Sequence, residues 1–443
     1  MPRLPRSRLP ASQYRLLWAL SDADTVPGAW HDRSVSALSD AVLPLIRTQA
    51  DVHRWSAANR HGEQMHEGVD LLENAAVDDP AEVFRVTQRA IRSAMSVIMR
   101  ADDSSGIIGD ACRRLLDLHA ATAGPARVAP APLVRWLIAF QFDQECDFFT
   151  IDPVAYAPAL GERGIRAYRH ELDKRRAALG AEPSGDDAWR SPHSGDWFTI
   201  HYNDRRLAVY DRDAEAIIRT HARDQQVPAW LQDTAQAFEE IGEFDLAIAW
   251  AERAVAHPVG GHQAITAAAY LGELLAKHRP DALLDARLAT FDRWPTSMHA
   301  AAVREAAGTR WPELRDGVFA RLATNPREAV AFALTTPGDE RLAWTLAHDL
   351  GLDGDDVWDR LLTAYEKVDP LATLPHHTRL AVGYLARADA RNYRLAARRL
   401  ARMRTLAAGS PLATEVDDLI AQLRLEHRRR PRLQQEFTRA GLP

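Results

Sequence analysis

Apolar residues recur at three- and four-residue intervals along most of the chain, the spacing of one buried helix face, and turn-forming residues interrupt them at short distances. The clearest instance is Ala229–Pro258, AWLQDTAQAFEEIGEFDLAIAWAERAVAHP. Leu231, Ala235 and Phe238 share a face of a first helix, Gly242 supplies a left-handed cap, and a second helix starts at Asp245. Ala247, Ala251 and Ala254 follow at intervals of four and three, so the second helix presents small side chains on which the first lies close. Pro258 ends the unit.

The same grammar repeats downstream. Leu271, Leu274 and Leu275 lead to a break at Arg279-Pro280, and a helix through Leu284, Leu288 and Phe291 stops at Trp294-Pro295. Ala302 to Ala307 leads to a break at Trp311-Pro312, and a helix through Val318, Phe319 and Leu322 stops at Asn325-Pro326. The closing prolines are 37 and then 31 residues apart, bracketing the period of about 34 residues typical of helix-pair repeats. Small residues on the second helix and Gly at the turn match the tetratricopeptide pattern at several positions. The expected fold is all-α, a tetratricopeptide-like α-solenoid of stacked antiparallel helix pairs.

Toward the N-terminus the pattern predicts a lead segment over 1–33 with a short helix near Tyr14 to Leu20, then helices through Val35 to Ile46 and Glu67 to Leu72. Asp79-Pro80 opens a helix bearing Val83, Val86, Ile91, Met95 and Ile98. Further helices are expected over 107–119, 133–142, 154–160 and 165–179. Pro183, Ser184, Gly185, Pro192, Ser194 and Gly195 give residues 181–203 the composition of a linker. The expected organisation is therefore a helical domain over 34–180, that linker, and a repeat domain over 204–443. WFTIHY at 197–202 and LAVY at 207–210 offer a small hairpin about Asn203-Asp204 as an alternative to helix, although the second run flows into a helical pattern.

Composition agrees with a helical repeat. Abundant Ala and scarce alternation of Val, Ile and Thr argue against sheets. Cys112 and Cys146 exclude a disulfide framework and fit a reducing cytoplasm. The N-terminal apolar run is short and broken by Arg15, which fits neither a signal peptide nor an anchor. No stretch approaches the ~18 uninterrupted apolar residues of a membrane span.

Candidate chemistry is sparse. His66 and Asp70 lie one helical turn apart beside Glu67, but His61 falls on another face and the His-Glu-x-x-His order is missing. His376-His377 after Leu374-Pro375 reads as a solvated helix start. Asp143, Glu145, Asp147 and Asp152, interleaved with Phe142, Phe148 and Phe149, offer a catalytic carboxylate pair, against which stands a helix end followed by a cap at Asp152-Pro153. Asp102 to Gly106 lacks the alternating acids and distal Glu of a calcium loop and reads as a turn with an N-cap. Gly-x-Ser-x-Gly and Gly-x-x-x-x-Gly-Lys do not occur, and the three lysines, Lys174, Lys277 and Lys367, leave few candidates for Schiff-base chemistry. The sequence points away from an enzyme and implies no cofactor and no metal.

Charge changes the picture at one end. From Arg379 to Pro443 fourteen arginines face six acids, a net of +8, so in a chain of net −6 the preceding residues carry −14. Arg391, Arg394, Arg398 and Arg402 step by three, four and four onto one helix face, opposite Tyr393, Ala396, Leu400, Met403 and Ala407. Arg428, Arg429, Arg430 and Arg432 form a second group. Such guanidinium groups either bind phosphate or an acidic partner or form a solvated face.

The elements RAIRSAMSVIMRADDSSGIIGDACRRLLDLH, DPVAYAPALGERGIRAYRHEL, EEIGEFDLAIAWAERAV and LRLEHRRRPRLQQEFTRAGL together resemble an uncharacterised bacterial family of helical-repeat proteins that often accompany SWIM zinc fingers. The resemblance runs from about Ala90 to the C-terminus and implies the helical fold and a loose association with nucleic-acid transactions. The finger needs Cys-x-Cys followed by Cys-x-His to close a tetrahedron about zinc, and this chain has neither. The expected function is a cytoplasmic, non-catalytic scaffold for a protein partner, with Gln232, Gln236 and Glu239 on the polar side of a first helix as its groove. The alternative is a nucleic-acid-associated accessory protein that uses Arg391, Arg394, Arg398, Arg402, Arg428, Arg429 and Arg430.

Overall fold

A computed structural model of the protein describes residues 36–143, 149–183, 191–336, 338–387 and 389–443. The expected lead segment and its short helix lie outside the described residues. The described residues form helices and turns, with no strand among them. They divide into two compact units, one ending at Asp211 and the other beginning at Arg212.

The first unit contains α1 (Ala37–Ile46), α2 (Trp55–Ala75), α3 (Pro80–Ile98), α4 (Ile107–Ala123), α5 (Pro130–Phe142), α6 (Ala157–Leu179) and α7 (Ser194–Asp211). Local chemistry sets several of their starts. Ser36 Oγ accepts from Ser39 N at 3.2 Å to cap α1, and Asp79 Oδ1 accepts from Glu82 N at 2.9 Å ahead of Pro80 to cap α3. In the Asp102 to Gly106 turn, Asp103 accepts from Ile108 N and Gly109 N at 2.9 and 2.8 Å and caps α4. Gly161, at φ 57°, breaks α6 near its start as the sequence expected between Leu160 and Ile165. Leu72, Ile91, Leu115, Leu137 and Tyr168 belong to one buried cluster that spans the unit.

Of the two readings of residues 197–210, helix holds over the hairpin: α7 runs unbroken through Asn203 and Asp204. The same helix starts inside the expected linker 181–203 and crosses its end, and the division between the two compact units falls after it, at Asp211 and Arg212. The physical reason is burial. Asn203, which looks like a turn residue, is wholly buried and accepts from Tyr168 Oη at 2.5 Å, while Asp204 pairs with Arg176 at 2.6 Å. Residues 184–190 of that segment lie outside the described residues.

The second unit opens with a turn of helix at Ala214–Ile217 that widens into a π-turn at Ile218–Ala222. Helix pairs follow: α8 (Pro228–Glu240) with α9 (Phe244–Ala256), α10 (His262–His278) with α11 (Leu283–Arg293), and α12 (Ser297–Ala307) with α13 (Trp311–Leu322). Then come α14 (Pro326–Ala333) with α15 (Glu340–Asp349), α16 (Asp355–Tyr365) with α17 (Leu374–Ala386), α18 (Ala390–Ala407) with α19 (Ala413–Glu426), and a last helix α20 (Pro431–Arg439). Gly242 adopts φ 81° between α8 and α9, the left-handed cap that its position requires. The break expected near Trp311-Pro312 is a turn at Gly308–Arg310, and Pro312 sits in the first turn of α13, where it forfeits no hydrogen bond.

Each second helix packs on the first helix of the next pair, α9 on α10, α11 on α12, α13 on α14, α15 on α16 and α17 on α18. First helices also lie beside their successors, α8 by α10, α12 by α14, α14 by α16 and α18 by α20. The apolar residues accordingly fall into successive local clusters. Phe291, Val303 and Phe332 lie in one, Trp358, Leu361 and Leu380 in the next, and Leu400, Ile420 and Phe437 in a third. A series of small cores, each completed by its neighbours, is the logic of a solenoid.

Candidate partner-binding surface

The row of first helices in the second unit presents the polar face that the sequence assigned to binding. Of the three α8 candidates, Gln236 is exposed and Gln232 is half-buried. Glu239 is committed within the fold: it accepts from Tyr270 Oη at 2.8 Å, Lys277 Nζ at 2.9 Å and His278 Nε2 at 3.2 Å, all from α10. Burial alone would raise its pKa, but these donors together hold the carboxylate below its usual range. Glu239 therefore clamps α8 to α10, and two glutamines remain of the expected groove residues.

Farther along the row, α14 and α16 leave an open groove of about 390 Å³ lined by Leu334, Asp359, Arg360, Thr363, Ala364 and Lys367. Asp359 and Thr363 step by four along the exposed side of α16, and Lys367 follows in the turn after it. Leu334 and Ala364 are half-buried at its floor. Asp359 is bonded to Arg399 of α18, whereas Arg360 and Lys367 are exposed and form no ion pair among the described residues. The groove is thus cationic with an apolar floor, and neither its place nor its lining was anticipated. The i, i+4 spacing of polar residues on α16 was its only signal in the sequence.

The arginines separate into two kinds. Arg391, Arg394 and Arg398 are exposed on α18, opposite the buried Tyr393, Ala396, Leu400 and Met403. Arg402 lies on the same face but is spent on Glu366, whose Oε2 accepts from its Nε at 3.0 Å and its Nη2 at 2.5 Å. Arg428 and Arg429 are exposed after α19, whereas Arg430 donates to the carbonyl of Leu385 at 2.8 Å. That last bond places the α19–α20 turn against the C-terminal end of α17, near the start of α18. Five of the seven expected residues, Arg391, Arg394, Arg398, Arg428 and Arg429, thus remain free of ion pairs among the described residues, and two are internal braces.

Near the start of α17 the expectation of a solvated pair fails. His377 is 3% exposed. Its Nε2 meets Glu366 Oε1 at 3.0 Å and its Nδ1 meets Arg399 Nη1 at 3.0 Å. Guanidinium can only donate, so Nδ1 accepts and the proton sits on Nε2, toward the carboxylate. Burial first, then the Arg399 charge, lower the His377 pKa. Beside it, His376 stacks on Trp358 at 4.1 Å, and its Nε2 lies 3.1 Å from Nε2 of His348 in α15. Burial and the adjacent His348, Arg379 and His377 lower its pKa to about 4. Solvation gives way because the preceding helix supplies an aromatic bed for one ring and a carboxylate for the other.

The described side chains of the remaining sites weighed in the sequence have partners within the fold. Arg114 donates to His66 Nδ1 at 2.8 Å, Asp70 at 2.6 Å and Glu73 at 2.8 Å, and so occupies the space between those groups. His61 reaches the carbonyl of Ile46 at 3.1 Å. Asp143 pairs with Arg175 at 2.7 Å and Asp152 with Arg206 at 2.8 Å, while Asp152 also caps the turn at Val154. Glu145, Asp147 and Phe148, like Cys146, lie outside the described residues. Cys112 is buried in α4. No group of three metal-binding side chains occurs among the described residues, and no helix among them is long and apolar enough to cross a membrane.

Comparisons with known proteins add no name to this surface. No protein-family model matches the chain, and no curated protein matches it.

Proposed function

We propose that the protein is a non-catalytic helical-repeat scaffold that binds a protein partner along the first-helix face of its second unit. The observation that carries this reading is the groove between α14 and α16. Its floor is apolar, at Leu334 and Ala364, and its rim bears Arg360, Thr363 and Lys367, so an extended segment gains both burial and hydrogen bonds there. Gln232 and Gln236 continue the polar face on α8. A cytoplasmic setting and kinship with the helical-repeat family that accompanies SWIM fingers belong to the same proposal.

The test is site-specific photo-crosslinking in the native host. A crosslinking residue at Thr363 is expected to capture a discrete protein, and one at Asp349, exposed at the end of α15 and outside the groove lining, is expected to capture nothing. Equal labelling from both positions would remove the proposal.

The second reading, a nucleic-acid-associated accessory protein, is favoured by the unpaired arginines at 391, 394, 398, 428 and 429. Their charge would act on phosphates and make binding fall steeply with salt. Failure to bind DNA or RNA at low ionic strength would discard it.

A further inference from the structure

His348 and His376 bring two imidazole nitrogens together in the second unit. His348 Nδ1 lies 2.8 Å from the carbonyl of Trp344, one turn earlier in α15. A carbonyl only accepts, so the His348 proton is on Nδ1 and its Nε2 lone pair faces outward. That lone pair points at His376 Nε2, 3.1 Å away. Two tryptophans fix both rings. His376 stacks on Trp358 at 4.1 Å and 17° and meets Trp344 edge-on at 5.2 Å, while His348 lies 4.7 Å from Trp344 and edge-on to Trp358 at 5.4 Å.

We infer that His348 and His376 chelate one divalent transition-metal ion through their Nε2 atoms. Two nitrogens each about 2.0–2.1 Å from one ion lie about 2.9 Å apart at a right angle and about 3.3 Å apart at the tetrahedral angle. The observed 3.1 Å falls between these values, so the nitrogens are already at chelating separation, and each ring turns to swing its lone pair off the line between them and onto the ion. The Nδ1–H bond of His348 to a backbone carbonyl is the outer-shell arrangement that fixes a ligating imidazole. In the metal-free pair His376 Nε2 carries the proton of an N–H···N bond. Binding moves that proton to His376 Nδ1 through solvent, so the protein is neither oxidised nor reduced and its proton count is unchanged.

No third His, Cys, Asp or Glu completes a cluster among the described residues, so water fills the other positions. The nearby Arg379 is itself paired with Asp355 at 3.0 Å, which offsets its repulsion of a cation. Two imidazoles and water suit copper(II) best among first-row ions, with nickel and zinc weaker. Neither histidine lines the α14–α16 groove, so the inference stands apart from the proposed partner site.

The test uses the full chain, free of any histidine tag and stripped with chelator, titrated with copper(II) chloride in a non-coordinating buffer. One equivalent is expected to saturate and to quench tryptophan fluorescence, because Trp344 and Trp358 adjoin the ion. His348→Gln and His376→Gln should each weaken binding at least about tenfold, whereas His262→Gln, an exposed histidine on α10, should not. Paramagnetic resonance of the wild-type complex should show coupling to two imidazole nitrogens, a reading that needs no variant to fold. Absence of saturable binding, a coupling pattern without two nitrogens, or affinity unchanged in both variants overturns the inference and leaves a hydrogen bond alone.

Discussion

Tyr168 donates its phenolic hydrogen to Asn203 Oδ1 at 2.5 Å, with both residues wholly buried. Asn203 Nδ2 donates to Gln141 Oε1 at 2.7 Å, and Gln141 Nε2 returns to Tyr168 Oη at 2.6 Å, closing a ring between α5, α6 and α7. Asn203→Ala strands the buried Tyr168 and the half-buried Gln141 and is expected to cost about 2–4 kcal/mol, and Tyr168→Phe about 1–3 kcal/mol. Urea denaturation of the single and double variants checks this. The double variant should lose less than the sum, and strict additivity would show that the ring does not act as a unit.

The same asparagine shows why the fold was legible in part. Caps and breakers act over a few residues, so Asp79-Pro80, Gly242 and the closing prolines announced their helices in the sequence. Asn203-Asp204 announces a turn by the same local rule, and helix prevails because partners 35 and 62 positions away hold the side chain of Asn203. The surface follows the same division. The α18 arginine face was readable as a periodicity, but that Arg402 and Arg430 are spent on Glu366 and the Leu385 carbonyl depends on packing between repeats. Trp344 and His348 stand one turn apart in the sequence, yet their convergence with Trp358 and His376 exists only once successive pairs stack.

Gly62 offers a stability test with an unusual sign. Gly to Ala inside a helix ordinarily gains up to about 1 kcal/mol. In α2 a Cβ at this position would lie 2.5 Å from Ile107 Cγ2, at the start of α4. Ile is β-branched and has little freedom to retreat. Gly62→Ala is therefore expected to destabilise by about 1–3 kcal/mol, and the Gly62→Ala/Ile107→Ala double variant should recover part of that loss in a thermal melt.

His119 predicts a pH dependence. Its ring is fully buried against Phe84 and Trp136, each at 4.2 Å, and its Nδ1 meets Tyr156 Oη at 2.9 Å. Burial lowers its pKa from 6.5 to about 3. Between those values the unfolded chain binds a proton that the folded chain refuses, so stability declines as pH falls through that window and is intact above it. The contribution of one group cannot exceed about 1.4 kcal/mol per pH unit. Hydrogen exchange over α4 between pH 7 and 4.5 should show this slope, and His119→Phe should reduce it.

The pairing of Glu366 with both Arg402 and His377 predicts unequal variants. Arg402 is 51% exposed, so Arg402→Ala should cost under about 1 kcal/mol. Glu366 is 8% exposed, and its loss leaves the buried His377 Nε2 proton without an acceptor and Arg402 unpaired. Glu366→Ala is expected to cost about 3 kcal/mol or more. Equal melting temperatures for the two would show that the carboxylate is not the hub.

The division of the C-terminal arginines into free and bracing groups separates binding from folding. Arg394 and Arg398 are exposed without a carboxylate partner, so Arg394→Glu/Arg398→Glu should leave the melting temperature within about a degree or two, as surface substitutions away from packed features do. Arg430 holds the α19–α20 turn to the Leu385 carbonyl, so Arg430→Ala should lower stability. If the arginine face engages a polyanion, each reversed charge removes a phosphate contact and reduces the slope of log affinity against log salt by about one. Arg430→Ala should leave that slope unchanged once the protein is folded. A titration with single-stranded DNA or heparin at several salt concentrations, run beside the melts, distinguishes three outcomes. A reduced slope in the reversal variant assigns the face to polyanions. An unchanged slope with measurable binding places the contacts elsewhere, and no binding by the wild type leaves the α14–α16 groove as the surface to pursue.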